Sequence, residues 1–178
     1  MTFDSKDKIE ICENAISWII VFAMLVYGVG KIVQFQGATE INKTVSQMTG
    51  MELMWAFYGY SRPFAITIGV FEIIGGVLIF LKRTRVIGCL VISTLLVNII
   101  FQDIYFEVHK EAVKAAVLYQ ILTGIVIWLN RDKLVSCIRT LTFSKKIQQS
   151  KMKLFIKLSI TFILFIVFRI VEYYITMQ

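Results

Sequence analysis

Proline is almost missing from this chain: there is one, Pro63. Long helices can therefore run without the break a proline imposes. Histidine is equally scarce. With His109 alone, a heme held by two histidines of this chain is excluded, and a His-rich metal site is disfavoured. The three cysteines, Cys12, Cys89 and Cys137, are odd in number and contain no C-x-x-C spacing. That argues against a dithiol redox site. No P-loop and no dinucleotide-type glycine motif occurs, and no metal site is expected. Acidic residues number 12 against 19 basic ones, for a net charge of +7. Nucleic acid is nevertheless not the expected partner. The basic residues lie between apolar runs, where the positive-inside rule of membrane proteins puts them.

Apolar residues fill the space these absences leave. They make up 57% of the chain, and the mean hydropathy is +0.74. Soluble domains sit near ~45–50% apolar. The excess predicts an all-α membrane protein, read as one membrane domain over 1–178. Its expected spans are about 14–33, 63–81, 86–106, 112–130 and 154–175, so four helices are followed by a fifth, C-terminal one. Residues 1–13 are polar, and no small-residue cleavage site follows the first apolar run. An anchor is expected there rather than a removed signal peptide.

The stretch from Arg62 to Arg85 organises the rest. Pro63 suits a first helical turn, where its missing N–H has no partner in any case. From Pro63 to Leu81 the only charge is Glu72, and Lys82, Arg83 and Arg85 close the run. These 19 residues span about 28 Å as a helix. A carboxylate at mid-membrane is expensive and faces protein or water rather than lipid. Gly69, Glu72 and Gly76 recur at i, i+3, i+7, so the acid shares its face with small residues that admit another helix.

Along the chain, Lys31 closes the first span and would snorkel to the interface. The outer loop 34–62 contains MELMWAFYGY (residues 51–60), too short to span. It reads as an interfacial helix at the aromatic belt, or as a lid over a site below. In the third span Thr94, Asn98, Gln102, Tyr105 and His109 form one polar stripe, with Asp103 about 100° from Gln102. The fourth span sets Ala116, Gln120 and Gly124 on one face. Residues 131–153 are basic, with a partial apolar face at Leu134, Val135, Ile138 and Leu141. They read as a helix on a cytoplasmic anionic surface, or as a solvated loop. In the fifth span Arg169 and Glu172 stand at i, i+3.

Thirteen Lys and Arg residues fall on the side holding the N-terminus, the 82–85 turn and the 131–157 segment, against six on the other. The N-terminus is therefore expected in the cytoplasm and the C-terminus outside, by default across a bacterial inner membrane. Helix rise then puts Glu72 and Gln120 about 12–14 Å below the outer surface, and Asn98 at nearly the same level. Lys31, Gln102, Asp103, Arg169 and Glu172 come above them. The groups could pair and lock the helices together. They could equally line a slot for a flat amphipathic ligand such as a quinone. In that reading Glu72, Lys31, Asn98, Gln102, Gln120 and Arg169 are the ligand-binding candidates, and Glu72 could relay a proton.

YGVGK at 27–31 and GVFEIIGGVLIFLKRTRVIG at 69–88 resemble the DoxX-like family of small four-helix membrane proteins over about residues 14–130. Lys31, Glu72 and Gly76 carry the match, with Arg83 or Arg85 in the turn. The resemblance implies a four-helix transmembrane bundle, to which this chain adds its fifth span and basic segment. Relatives of that family include quinone-linked oxidoreductase subunits, maturation factors for redox enzymes, and chaperones. The resulting expectation is a quinone- or lipid-binding accessory subunit of a redox-linked membrane system, not a stand-alone enzyme. The alternative is a non-catalytic assembly factor or structural subunit. Partners would be membrane lipids and another membrane protein.

Overall fold

The computed structural model describes residues 4–143 and 150–176, and among them it is helical throughout, with no strand. Five helices are long and apolar enough to cross a membrane: α1 (Ser5–Gly30), α3 (Arg62–Phe80), α4 (Arg85–Tyr105), α5 (Lys110–Leu129) and α7 (Lys151–Thr176). Two shorter helices are α2 (Gly50–Tyr60) and α6 (Arg131–Thr142). The chain divides into two compact units, Met1–Ile138 and Arg139–Gln178.

In the first unit α1 packs on α3, α3 on α4, α4 on α5, and α5 back on α1. Each chain neighbour runs antiparallel to the last, because the turns at 81–84 and 106–109 are too short for anything else. The interior of this ring is narrow and apolar, built on Ile20, Met24, Ile79, Ile92 and Val126. Large apolar residues such as Phe22, Phe71, Phe101 and Trp128 are exposed on the outside. A surface of this kind suits lipid, where the apolar solvent removes any penalty for exposing Phe and Trp.

Glycine sets how closely the helices approach. A Cβ on Gly69 would fall 2.4 Å from the Gly28 carbonyl, and one on Gly28 would fall 2.6 Å from the Gly69 carbonyl. The backbones of α1 and α3 are thus nearly in contact at that point, as small residues permit in membrane helices. The pair lies three residues from Glu72 on the same face of α3, so it fixes the neighbourhood of that acid.

Local chemistry decides where helices begin. α1 starts at Ser5, nine residues before the expected span, because Asp4 and Asp7 form a reciprocal capping box. The start of α2 is set by a similar box of Thr49 and Glu52. Pro63 stands in the first turn of α3. α4 ends in a Schellman-type turn, with Glu107 at φ 53° and the Val108 N–H on the Asp103 carbonyl (2.9 Å).

The basic segment 131–153 begins as helix α6, on which Arg131 lies over the Trp128 ring (5.2 Å). Its Lys145 and Lys146 lie outside the described residues. Within the second unit, α7 is a helix of 26 residues carrying an Arg169–Glu172 ion pair one turn apart.

Candidate functional site

The two ends of the helical ring differ in chemistry. At one end α2 and the 3₁₀ turn Gln36–Glu40 fold over the ends of α1 and α3. We call this the aromatic end. Phe35 stacks on Tyr58 (centroids 4.9 Å apart), Tyr58 on Phe64 (6.0 Å), and Trp55 meets Phe35 edge-on. Gly59 makes this possible: a Cβ there would strike the Ala38 side chain. A second, small core forms under α2 from Phe35, Met54, Tyr58 and Ala65.

A cavity of about 200 Å³ opens beside this core, lined by Lys31, Phe35, Tyr58, Gly59, Arg62 and Ala65 among others. Its polar groups are few and well placed. The Lys31 ammonium lies 5.5 Å over the Phe35 ring and donates to Gln34 (2.9 Å). The buried Tyr58 hydroxyl donates to Gln102 Oε1 (2.6 Å), and Gln102 donates in turn to Asn98 (2.7 Å). Burial pushes the Tyr58 phenol above the usual tyrosine range.

Deeper in the ring lies Glu72, only 2% exposed. Its Oε2 is buried without a hydrogen-bond partner, and it belongs to none of the ion pairs among the described residues. Lys31, Tyr27 and Tyr58 are within its electrostatic reach. Tyr27 meets Tyr119 edge-on at 6.0 Å. Asp103, 8% exposed, is a second buried acid toward the aromatic end, and Lys31 acts on it as well.

The expected site residues separate on this geometry. Lys31 lines the cavity, and Gln102 is joined to it through Tyr58. Glu72 lies below, two helical turns from Ala65 on α3. Gln120 is tied to Ser93 (2.7 Å), and its Oε1 is buried without a partner. Asn98 is exposed on the outer flank of α4, as are Thr94 and Tyr105, and His109 is exposed at the N-cap of α5, so most of the polar stripe faces outward. Arg169 belongs to the second unit and pairs with Glu172. Tyr58, Arg62 and Asp103 were missed as candidates. The signal for Tyr58 was available in the aromatic run 51–60. For Asp103 it was the single acid beside Gln102 in an otherwise apolar helix. Among the described residues no group of three His, Cys, Asp or Glu side chains is placed to hold a metal ion.

The family described as methylamine utilisation protein MauE matches residues 9–137. The chain belongs to the MauE family. This integral membrane family replaces the DoxX-like assignment drawn from YGVGK and the 69–88 stretch. Those residues explain the error. Gly28 and Gly69 meet because two membrane helices cross closely, and a basic turn follows a span in any protein obeying the positive-inside rule. Such features report helix packing and topology, which different membrane families share. The MauE match ends one residue before the first compact unit does, so α7 lies beyond it. The uncharacterized protein YwoB of Bacillus subtilis (strain 168) is 29% identical over 123 residues, covering 67% of this chain and 77% of that protein. No solved structure matches the chain.

Proposed function

We propose that this MauE-family protein is a quinone- or lipid-binding accessory subunit of a redox-linked system in a bacterial inner membrane. The observation that carries the reading is the cavity at the aromatic end. It offers the stacked Phe35 and Tyr58 rings, a protonated phenol, and the cations Lys31 and Arg62, with the unpaired acid Glu72 deeper in the same ring. A quinone needs a flat apolar wall and donors at its carbonyls, and such sites are mostly apolar with few convergent polar groups. The family's description supports a redox setting. The excess of Lys and Arg beside the N-terminus, the 82–85 turn and α6 supports a cytoplasmic N-terminus.

The test is mass spectrometry of the gently solubilised full-length protein, followed by titration of the delipidated protein with a short-chain menaquinone and ubiquinone. Retention of a quinone, lost on Tyr58→Ala or Lys31→Ala, supports the proposal. Absence of quinone together with no saturable binding of either probe overturns it.

A second reading rests on α7. This helix lies beyond the family match, and its sequence is apolar on every side apart from Lys151, Lys153, Lys157, Arg169 and Glu172 toward its ends. A span of that kind can dock on another membrane protein, making the chain an assembly factor or structural subunit. Stoichiometric co-purification of a membrane partner that is lost when residues 151–178 are removed, with no quinone bound, would favour this reading.

A further inference from the structure

The opposite end of the ring, which we call the basic end, holds a larger cavity of about 380 Å³. It is lined by Lys6, Lys82, Arg85 and Lys133 together with Glu10 and Glu13. Four cations thus face two carboxylates, and both carboxylates are already committed. Glu10 pairs with Lys82. Glu13 accepts from Arg85 Nη1 (2.7 Å) and from Asn130 (2.9 Å).

Arg85 makes this more than a patch of surface lysines. It is only 3% exposed, and its Nε is fixed on the Ile79 carbonyl (3.1 Å). Its Nη2 makes no hydrogen bond among the described residues, although the side chain lines the cavity. The Lys6 ammonium makes none either, and Lys133 spends one of its three donors on Asn130 (2.8 Å). A preoriented guanidinium edge therefore opens into a concave space with two surplus positive charges. Planar guanidinium and mobile ammonium groups together are the donor set that holds a phosphate.

We propose that this cavity binds a phosphate-type anion, either the phosphodiester of an anionic phospholipid headgroup or a soluble phosphate. Its place at the helix ends is the level of lipid headgroups, and the phosphate would bridge α1, the 81–84 turn and α6. This site is independent of the cavity at the aromatic end, so either can fail without the other.

The test uses the delipidated full-length protein. Native mass spectrometry follows uptake from an equimolar mixture of phosphatidylglycerol and phosphatidylcholine. A thermal melt in inorganic phosphate is compared with one in chloride at equal ionic strength. The expected result is preferential retention of phosphatidylglycerol, reduced about three- to tenfold in the Lys6→Gln/Lys133→Gln variant, as loss of one or two charge contacts predicts. Arg83→Gln, which removes an exposed charge outside the cavity, should change nothing. A phosphate-specific rise in melting temperature without lipid preference, lost in the same double variant, supports the site and assigns it to a soluble anion. Two results overturn the proposal: no lipid preference and no phosphate effect, or equal weakening by Arg83→Gln, which would mean a diffuse surface potential.

Discussion

The two ends of the ring handle buried charge in opposite ways. At the basic end Arg85 is buried with its counter-charge, and Glu13, Asn130 and Lys133 extend the pair into a network across α1, α4, α5 and α6. At the aromatic end Glu72 and Asp103 are buried with no ion-pair partner among the described residues, only the field of Lys31. A paired buried charge holds helices in register, whereas an unpaired one costs stability and is kept when it does something else. The basic end therefore carries the paired clamp of the fold, and the aromatic end carries the unpaired buried acids.

Breaking the clamp should have the largest effect on stability. Glu13→Ala leaves the Arg85 guanidinium buried without its carboxylate. The expected loss is about 3–5 kcal/mol, read as a lower melting temperature in detergent. Adding Arg85→Met to that variant should restore most of the loss, because the isolated charge is then gone. If the single variant melts like the wild type, the network is not a clamp and the contrast between the ends collapses.

The close crossing of α1 and α3 comes next. Gly69→Ala puts a methyl group against the Gly28 carbonyl, a backbone atom that cannot rotate away. Overpacking of this kind costs about 1–3 kcal/mol. Gly30→Ala is the control, since nothing lies within 4 Å of a Cβ there. Equal effects of the two substitutions would mean that helix propensity, not the crossing, governs this region.

What the sequence could and could not disclose follows from the range of each interaction. The spans are legible because hydropathy is a local sum, and the buried position of Glu72 follows from its glycine-flanked face. The Glu13–Arg85 pair is invisible to such reading, since its members stand 72 residues apart and meet only when α1, α3, α4 and α5 close into the ring. Helix rise gives depth but not direction. It put Asn98 at the level of Glu72, whereas Asn98 faces outward. It also put Arg169 above that layer, and Arg169 belongs to the second unit. Asp103 lies about 100° off the polar stripe, and that rotation turns it inward while most of the stripe faces out.

A smaller effect tests the cover of the aromatic end. Lys43 bonds to Glu52, and with the Thr49 cap it holds that carboxyl below the usual range. A depressed folded pKa stabilises the folded state above the unfolded value, near 4.5, and the contribution fades as pH falls through the lowered value. The hydrogen-exchange protection factor at the start of α2, corrected for the intrinsic rate at each pH, should therefore fall below about pH 4.5. Glu52→Gln should abolish that pH dependence. A variant that keeps the same acid response would show that another group sets it.

The smallest effect on stability, and the one that decides between the ends, belongs to Glu72. Glu72→Gln preserves shape and hydrogen-bonding capacity but cannot ionise. Because Glu72 belongs to no ion pair among the described residues and its Oε2 is unpartnered there, removing its charge strands no cation, unlike the loss of Glu13. The melting temperature should therefore stay close to that of the wild type, within about 1 kcal/mol of stability, or rise slightly as a buried charge is removed. Function should be lost, read as failure of the variant to complement a deletion of the gene at normal protein levels. A loss of several kcal/mol, recovered when Lys31 is also neutralised, would instead make Glu72 half of an ion pair and the aromatic end a second clamp. Full complementation at wild-type stability would reduce Glu72 to a packing group. The contrast between a clamped end and an acting end would then have to rest on Tyr58, Lys31 and the cavity alone.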